Sequence, residues 1–207
     1  MPISVIDRGQ NNHVQIDPET LEALDGTIEF QGSYNVISIG ANCASGGGFH
    51  FVLGTHCALR LGQNCIPSRL FAYLDRDAKI DIGAFTGFNG NCRLQLHEPG
   101  HIQVGDGCLF GGDVEVTISD MHPVFDIVSG ERINPAANIN ISEKVWIGAH
   151  SIILKGCTIG RETVIGFGSV VTHDIPPNCV AAGNPARIVR EGTTWRHDIG
   201  TATISPQ

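Results

Sequence analysis

The 207-residue chain carries a formal net charge of −8, with 13 Lys and Arg against 21 Asp and Glu. No segment concentrates the cations, so nucleic acid is not an expected partner. No apolar run approaches the roughly eighteen residues of a membrane-spanning helix, and the opening MPISVIDRGQNNH lacks the basic segment and apolar stretch of a secretory signal. At 42% hydrophobic content the length suffices for one domain with a packed core.

The 26 glycines and 10 prolines are spread from end to end, which predicts many tight turns in place of helices. Residues 1–27 show no repeat and are expected to form an irregular cap. A loose repeat follows. IGANC begins at Ile39, LGQNC at Leu61, IDIG ends at Gly83 and QVGDGC contains Val104, a recurrence of 21 or 22 residues. Each is read as one coil with extra corner residues. Cys43, Cys65 and Cys108 each stand three residues after a glycine, so they share one position of the repeat. They and Cys57, Cys92, Cys157 and Cys179 form no CxxC pair, which excludes a zinc ribbon. Small buried core residues in a reducing cytoplasm are the expected reading.

The segment SDMHPVFDIVSGERINPAAN, residues 119–138, breaks the repeat and is read as a protruding loop, the kind of element that carries function. Beyond it the pattern tightens. Ile141, Ile147, Ile153, Ile159, Ile165 and Val171 recur at a spacing of six. That period fits neither a helix nor one continuous amphipathic strand. It fits short strands joined by tight turns, three to a triangular coil, with one aliphatic anchor per strand pointing inward. Ile141 should then stack on Ile159, Ile147 on Ile165 and Ile153 on Val171, with coils about 4.8 Å apart. The expected fold is an all-β parallel β-helix over residues 1–191. GNPA, residues 183–186, is read as the turn that ends it. Residues 192–207 form a tail in which Trp195 anchors a short helix, and TATISPQ at the end is expected to be disordered.

The segment NINISEKVWIGAHSIILKGCTIGRETVIGFGSVVTHDIPPNCVAAGNPARIVR resembles the C-terminal half of the hexapeptide-repeat acetyltransferases. The loop SDMHPVFDIVSGERINPA ahead of VWIGAH brings the likeness nearest to the capsular polysaccharide O-acetyltransferases. It is firm over 102–191 and looser over 30–101. The resemblance implies left-handed coils, against the usual crossover rule. It also implies a homotrimer, acetyl-CoA as donor, no required metal, a sugar or polysaccharide acceptor, and active sites between neighbouring subunits.

His122, in DMHP, stands where the family has its catalytic histidine. A sugar hydroxyl is a weak nucleophile at neutral pH, and a histidine base accepts its proton as it attacks the thioester. Asp120 lies two residues earlier, placed either to orient the imidazole or simply to solvate the loop. Trp146 precedes the inward Ile147 and so points outward. The resemblance sets it beside the histidine of the adjoining subunit, as catalytic neighbour and acceptor platform, with plain trimer packing as the other reading. Asn91 aligns with an acceptor-contacting asparagine of galactoside acetyltransferases. An N–H near Gly148 or Ala149 is the expected oxyanion donor. Donor contacts are assigned to Ala149, Gly166, Gly168, Thr172, His173 and Arg190. The glycines admit a pantetheine arm and Arg190 pairs with phosphate. His173 departs from the family, where a lysine is common.

His97 and His101 sit four apart, a spacing that does not converge ligands on a coil; His13, His50, His56, His150 and His197 show no metal pattern. Two other readings stay open at this point. One is a zinc enzyme of the γ-carbonic anhydrase type. The other is a solenoid scaffold or carbohydrate-binding module. An amino-sugar amine or an antibiotic hydroxyl also remains as acceptor.

Overall fold

The computed structural model describes residues 3–200. The chain winds into stacked triangular coils whose three faces are sheets of eight, seven and seven strands, parallel throughout except for the last strand of the third. No α-helix forms among the described residues; a single 3-10 turn, Pro18–Thr20, is capped by the Asp17 side chain. Face one runs from Ser4–Asp7 to Val170–Val171, face two from His13–Ile16 to Thr158–Ile159, and face three from Ile66–Ser68 to Ala186–Glu191. The edges follow in the same order: the first joins faces one and two, the second faces two and three, the third faces three and one.

The expected stacks are present: Ile141 pairs with Ile159, Ile147 with Ile165 and Ile153 with Val171. Each of these side chains is fully buried. Stacking is what makes the coil stable, because a lone coil leaves its inner face wet. In the C-terminal coils a strand of two or three residues supplies one anchor, and the same face returns 18 residues later, as from Ile153 to Val171.

The N-terminal coils are wider, and the reason is visible in their anchors. Leu94 and Leu96 both point inward from face one, Ile102 and Val104 from face two, and Phe110 alone from face three. The six-residue step survives from Leu96 to Ile102, from Val104 to Phe110 and from Phe110 to Val116. Faces one and two each gain one extra inward-outward pair, so Leu94 meets Val116 22 residues on. The larger interior is filled by aromatic rings, with Phe88 and Phe110 stacked at 4.5 Å. The loop 119–138 leaves the first edge where wide coils give way to narrow ones.

All seven cysteines are free and buried. On the second edge they belong to a row that alternates with threonine. Thr20, Cys43, Cys65, Thr86 and Cys108 each donate to a carbonyl of the next coil, at Gly40 (2.9 Å), Gly62 (3.2 Å), Gly83 (3.1 Å), Gly105 (3.1 Å) and Ser142 (3.1 Å). At these five places the corner takes a small side chain that offers one donor to a carbonyl; Val145, next in the row, is buried there without one.

Two expectations are corrected. Of the cap expected over 1–27, the described residues from 3 onward are not irregular: Ser4–Asp7 and His13–Ile16 pair in register with Thr27–Phe30 and Val36–Ile39. They form an outermost coil whose strands are largely exposed, which is why no apolar repeat betrays them. The tail holds no helix over 192–200; Trp195 is anchored as an extended strap instead. TATISPQ lies outside the described residues. The GNPA segment does turn the chain, from Cys179–Gly183 into the antiparallel Ala186–Glu191.

Candidate active site

The loop carrying His122 is held by its backbone and by flanking side chains, and the imidazole is left out of that scaffold. Asn134 donates to the His122 carbonyl (2.9 Å) and to the Asp120 carboxylate (2.8 Å), while its own oxygen accepts from the Val124 N–H (2.6 Å). Phe125 and Arg132 form an antiparallel bridge that closes the hairpin. Two clamps tie it to the solenoid. From the wide coil below, Glu98 takes both ends of the Arg132 guanidinium (2.7 and 2.8 Å) and the Ser119 hydroxyl (2.5 Å). From the narrow coil above, Lys155 pairs with Asp120 and donates to the Asn134 carbonyl (3.1 Å).

Among the described residues the His122 ring has no hydrogen-bond partner. No hydrogen bond joins Asp120 to the imidazole; Lys155 and Asn134 both bond its Oδ2. Lys155 first, then Asn134, hold that carboxyl below the usual aspartate range. Glu98 is pushed down to about 2, chiefly by Arg132 and then by Ser119. Glu98, Arg132, Asn134 and Lys155 were assigned no role from the sequence. Arg132 and Asn134 stand inside the quoted loop motif, but nothing in a linear motif says which carboxylate an arginine will meet 34 residues away.

The other candidates divide onto different edges. Thr172 and His173 follow Val170–Val171 on the first edge, the edge of the His122 loop. The Thr172 hydroxyl and His173 Nδ1 lie 2.6 Å apart. His173 lines a groove of about 390 Å³ together with Arg187, so a cation that the sequence reading passed over stands beside the histidine that replaced the family lysine. Asn91, Ala149 and Gly168 lie on the third edge. The Gly168 N–H donates to the Ala149 carbonyl at 2.9 Å, and the Asn91 amide bonds Asp113 at 3.2 Å. Gly166 and Trp146 belong to face three, and Arg190 to its last strand, opposite Val180.

The glycines differ in what they permit. Gly168 has φ +67° and a methyl built there meets nothing within 4 Å, so this corner opens to solvent. At Gly166 a methyl would press on Ala182 at 2.8 Å, which makes its role coil packing. The Gly148 N–H is committed to the Ile165 carbonyl at 2.8 Å. That removes it as oxyanion donor and leaves Ala149, whose N–H finds no partner among the described residues. Trp146 is 41% exposed, and its indole packs on Trp195 at 5.9 Å. His97 and His101 bond separate partners, Gln95 (3.0 Å) and Asp81 (2.9 Å).

Residues 138–173 match the family described as bacterial transferase hexapeptide (six repeats). The polysialic acid O-acetyltransferase of Neisseria meningitidis is 32% identical over 200 residues, covering 96% of this chain and 92% of that protein. The galactoside O-acetyltransferase of Escherichia coli (strain K12) is 39% identical over 119 residues, or 58% of this chain and 57% of that protein. The chain spans 39% of a polysialic acid O-acetyltransferase of Escherichia coli O1:K1 / APEC. In structure the chain superposes on the polysialic acid O-acetyltransferase OatWY with TM-score 0.89 and 29% identity, over 97% of this chain and 94% of the other. A likeness that runs nearly the full length of both chains is one of descent and not of a borrowed repeat: the chain belongs to the hexapeptide-repeat O-acetyltransferases.

Proposed function

We propose that the protein is a cytoplasmic homotrimer that transfers an acetyl group from acetyl-CoA to a hydroxyl of a polysaccharide or of its sugar units, with His122 as general base. The observation that carries this reading is the partition of the site over two edges. His122, Thr172 and His173 sit on the first edge; Asn91, Ala149 and Gly168 sit on the third, with Trp146 on the adjoining face. Face one separates the two groups within a single chain. A threefold arrangement sets the first edge of one copy against the third edge and third face of the next, and only then do base, donor groove and tryptophan meet. The loop tip supports it: Ile127 and Val128 are 98% and 92% exposed in the single chain, as side chains awaiting a second copy would be.

The chemistry follows from the fixed loop. The acceptor hydroxyl gives its proton to the imidazole while its oxygen attacks the thioester carbonyl. The negative charge that develops on the carbonyl oxygen is met by the N–H of Ala149. The tetrahedral intermediate collapses, the C–S bond breaks, and the imidazolium returns the proton to the CoA sulfur. Because the loop is clamped on both sides, the base is positioned before substrate arrives, which spares the reaction an ordering cost. Names of the relatives favour polysialic acid as acceptor, with galactosides second. The test is thiol release from acetyl-CoA with each acceptor. His122→Ala should stay trimeric and lose roughly 10²–10⁴-fold in kcat. Turnover within a few-fold of wild type would remove the base assignment.

A further inference from the structure

We infer that Trp195 is a positioning residue: the strap Thr193–Trp195 fixes the indole of Trp146 in the orientation in which it meets the acceptor. The inference rests on the reading of Trp146 as acceptor platform and adds the element that sets it. The strap runs along the second edge and is fastened to three successive coils. The Thr193 N–H donates to Asn178 (2.8 Å), the Thr194 hydroxyl to Glu162 (2.5 Å), and the Trp195 Nε1–H to the carbonyl of Lys144 (2.7 Å). Lys144 adds a bond to the Thr194 hydroxyl (3.3 Å) and an ion pair with Glu162 (3.5 Å). The last fastening falls two residues before Trp146, so the two indoles are pinned to the same turn.

Trp195 is only 7% exposed, yet it lies outside the contiguous apolar core. Its burial is against the outer surface of face three. There the neighbours of Trp146 in register are Leu109 and Val164, aliphatic side chains that offer the indole no aromatic face and no hydrogen-bond partner to fix its plane. The ring of Trp195, tilted 46° and 5.9 Å away, supplies the missing wall. His197 closes over the far side of Trp195 at 4.6 Å. An aromatic platform selects a sugar only if its plane is held, since a free rotor must be ordered on each binding event.

These are the only two tryptophans in the chain, so their coupling is directly visible as an exciton couplet in circular dichroism. The experiment compares wild type, Trp195→Ala, Trp195→Phe and Trp146→Ala, with acetyl-CoA and whichever of polysialic acid or a galactoside the wild type turns over. Trp195→Ala should raise the acceptor KM about 2- to 10-fold, the range an aromatic pair's coupling allows. The KM for acetyl-CoA should hold, while the melting temperature should fall by the burial and hydrogen bond lost. Trp195→Phe, which keeps a ring, should recover most of the acceptor KM. It also serves if the alanine variant folds poorly. An unchanged acceptor KM in Trp195→Ala, with a raised one in Trp146→Ala, overturns the inference and leaves the platform standing. An unchanged acceptor KM in Trp146→Ala overturns the platform itself. A couplet missing from the wild type would show the rings are not held together, and the inference would fall on that ground alone.

Discussion

The wide N-terminal coils and the narrow C-terminal coils use one construction at two sizes. In the narrow coils each of these strands lends a single anchor, Ile147, Ile153 and Ile159 in turn, with Val145, Ser151 and Cys157 buried at the corner two residues before each. In the wide coils faces one and two lend two anchors each, as Leu94 with Leu96 and Ile102 with Val104, while face three keeps one. Width changes only on the two faces that flank the first edge. The His122 loop springs from that edge at the change, clamped by Glu98 of a wide coil and Lys155 of a narrow one. The comparison teaches that the loop is seated in a step of the solenoid: an insertion placed there is gripped from both sides.

The sharpest way to break this comparison is in the core. Ile147→Ala removes the one inward anchor of its strand and should cost about 4–5 kcal/mol, at the upper end for such a truncation. Leu94→Ala, with Leu96 beside it to take up slack, should cost about 2–3 kcal/mol. Urea unfolding of the two variants decides; equal losses would mean that paired anchors share no burial.

The clamp gives a smaller effect, read in rate more than in stability. Arg132→Ala should lower kcat about tenfold or more, because the loop loses its grip on the wide coil. The melting temperature should barely move, since both partners are partly exposed and such pairs contribute little. The clamp also has a defined pH window. Glu98 has its folded pKa below its ordinary 4.5, at about 2. The pairing is therefore at full strength above pH 4.5 and is lost only as pH falls through about 2. A loss of activity between pH 5 and 7 in the wild type should thus arise without loosening of the loop. Arg132→Ala should show the same midpoint at a lower plateau. A midpoint displaced by a full unit in that variant would tie the acid limb to the clamp.

The smallest effect concerns the second edge. Cys65→Thr should change stability by less than about 1 kcal/mol, because Thr86 does the same work one coil on. Cys65→Ala leaves the Gly83 carbonyl without its donor and should cost about 1–2 kcal/mol. Thermal unfolding of both variants would settle whether the corner asks for a donor or only for a small side chain.

The fold was legible where burial imposes one anchor every six residues, from Ile141 to Val171. It blurred over 30–104, where Leu94 and Leu96, or Ile102 and Val104, introduce a period of two inside the period of six. It vanished in Ser4–Asp7 and His13–Ile16, which pair through backbone alone and bury little. At the site the DMHP motif singled out His122 for the proposed base. The sequence left Asp120 two readings, by the imidazole or in the loop, because it does not record that Lys155, 35 positions on, meets the carboxylate. Trp195 and Lys144 meet across 51 residues, and no local pattern records such a contact.

The most direct measurement is complementation between two damaged copies. His122→Ala and Trp146→Ala protomers, each assayed alone at acceptor concentrations below the wild-type KM, should be deficient. Unfolded together and refolded as mixed trimers, they should regain up to about a quarter of wild-type activity, since some interfaces then pair an intact histidine with an intact tryptophan from the neighbour. Mixed trimers no more active than the average of the two parents would mean that base and tryptophan do not come together from neighbouring copies, and would contradict the account.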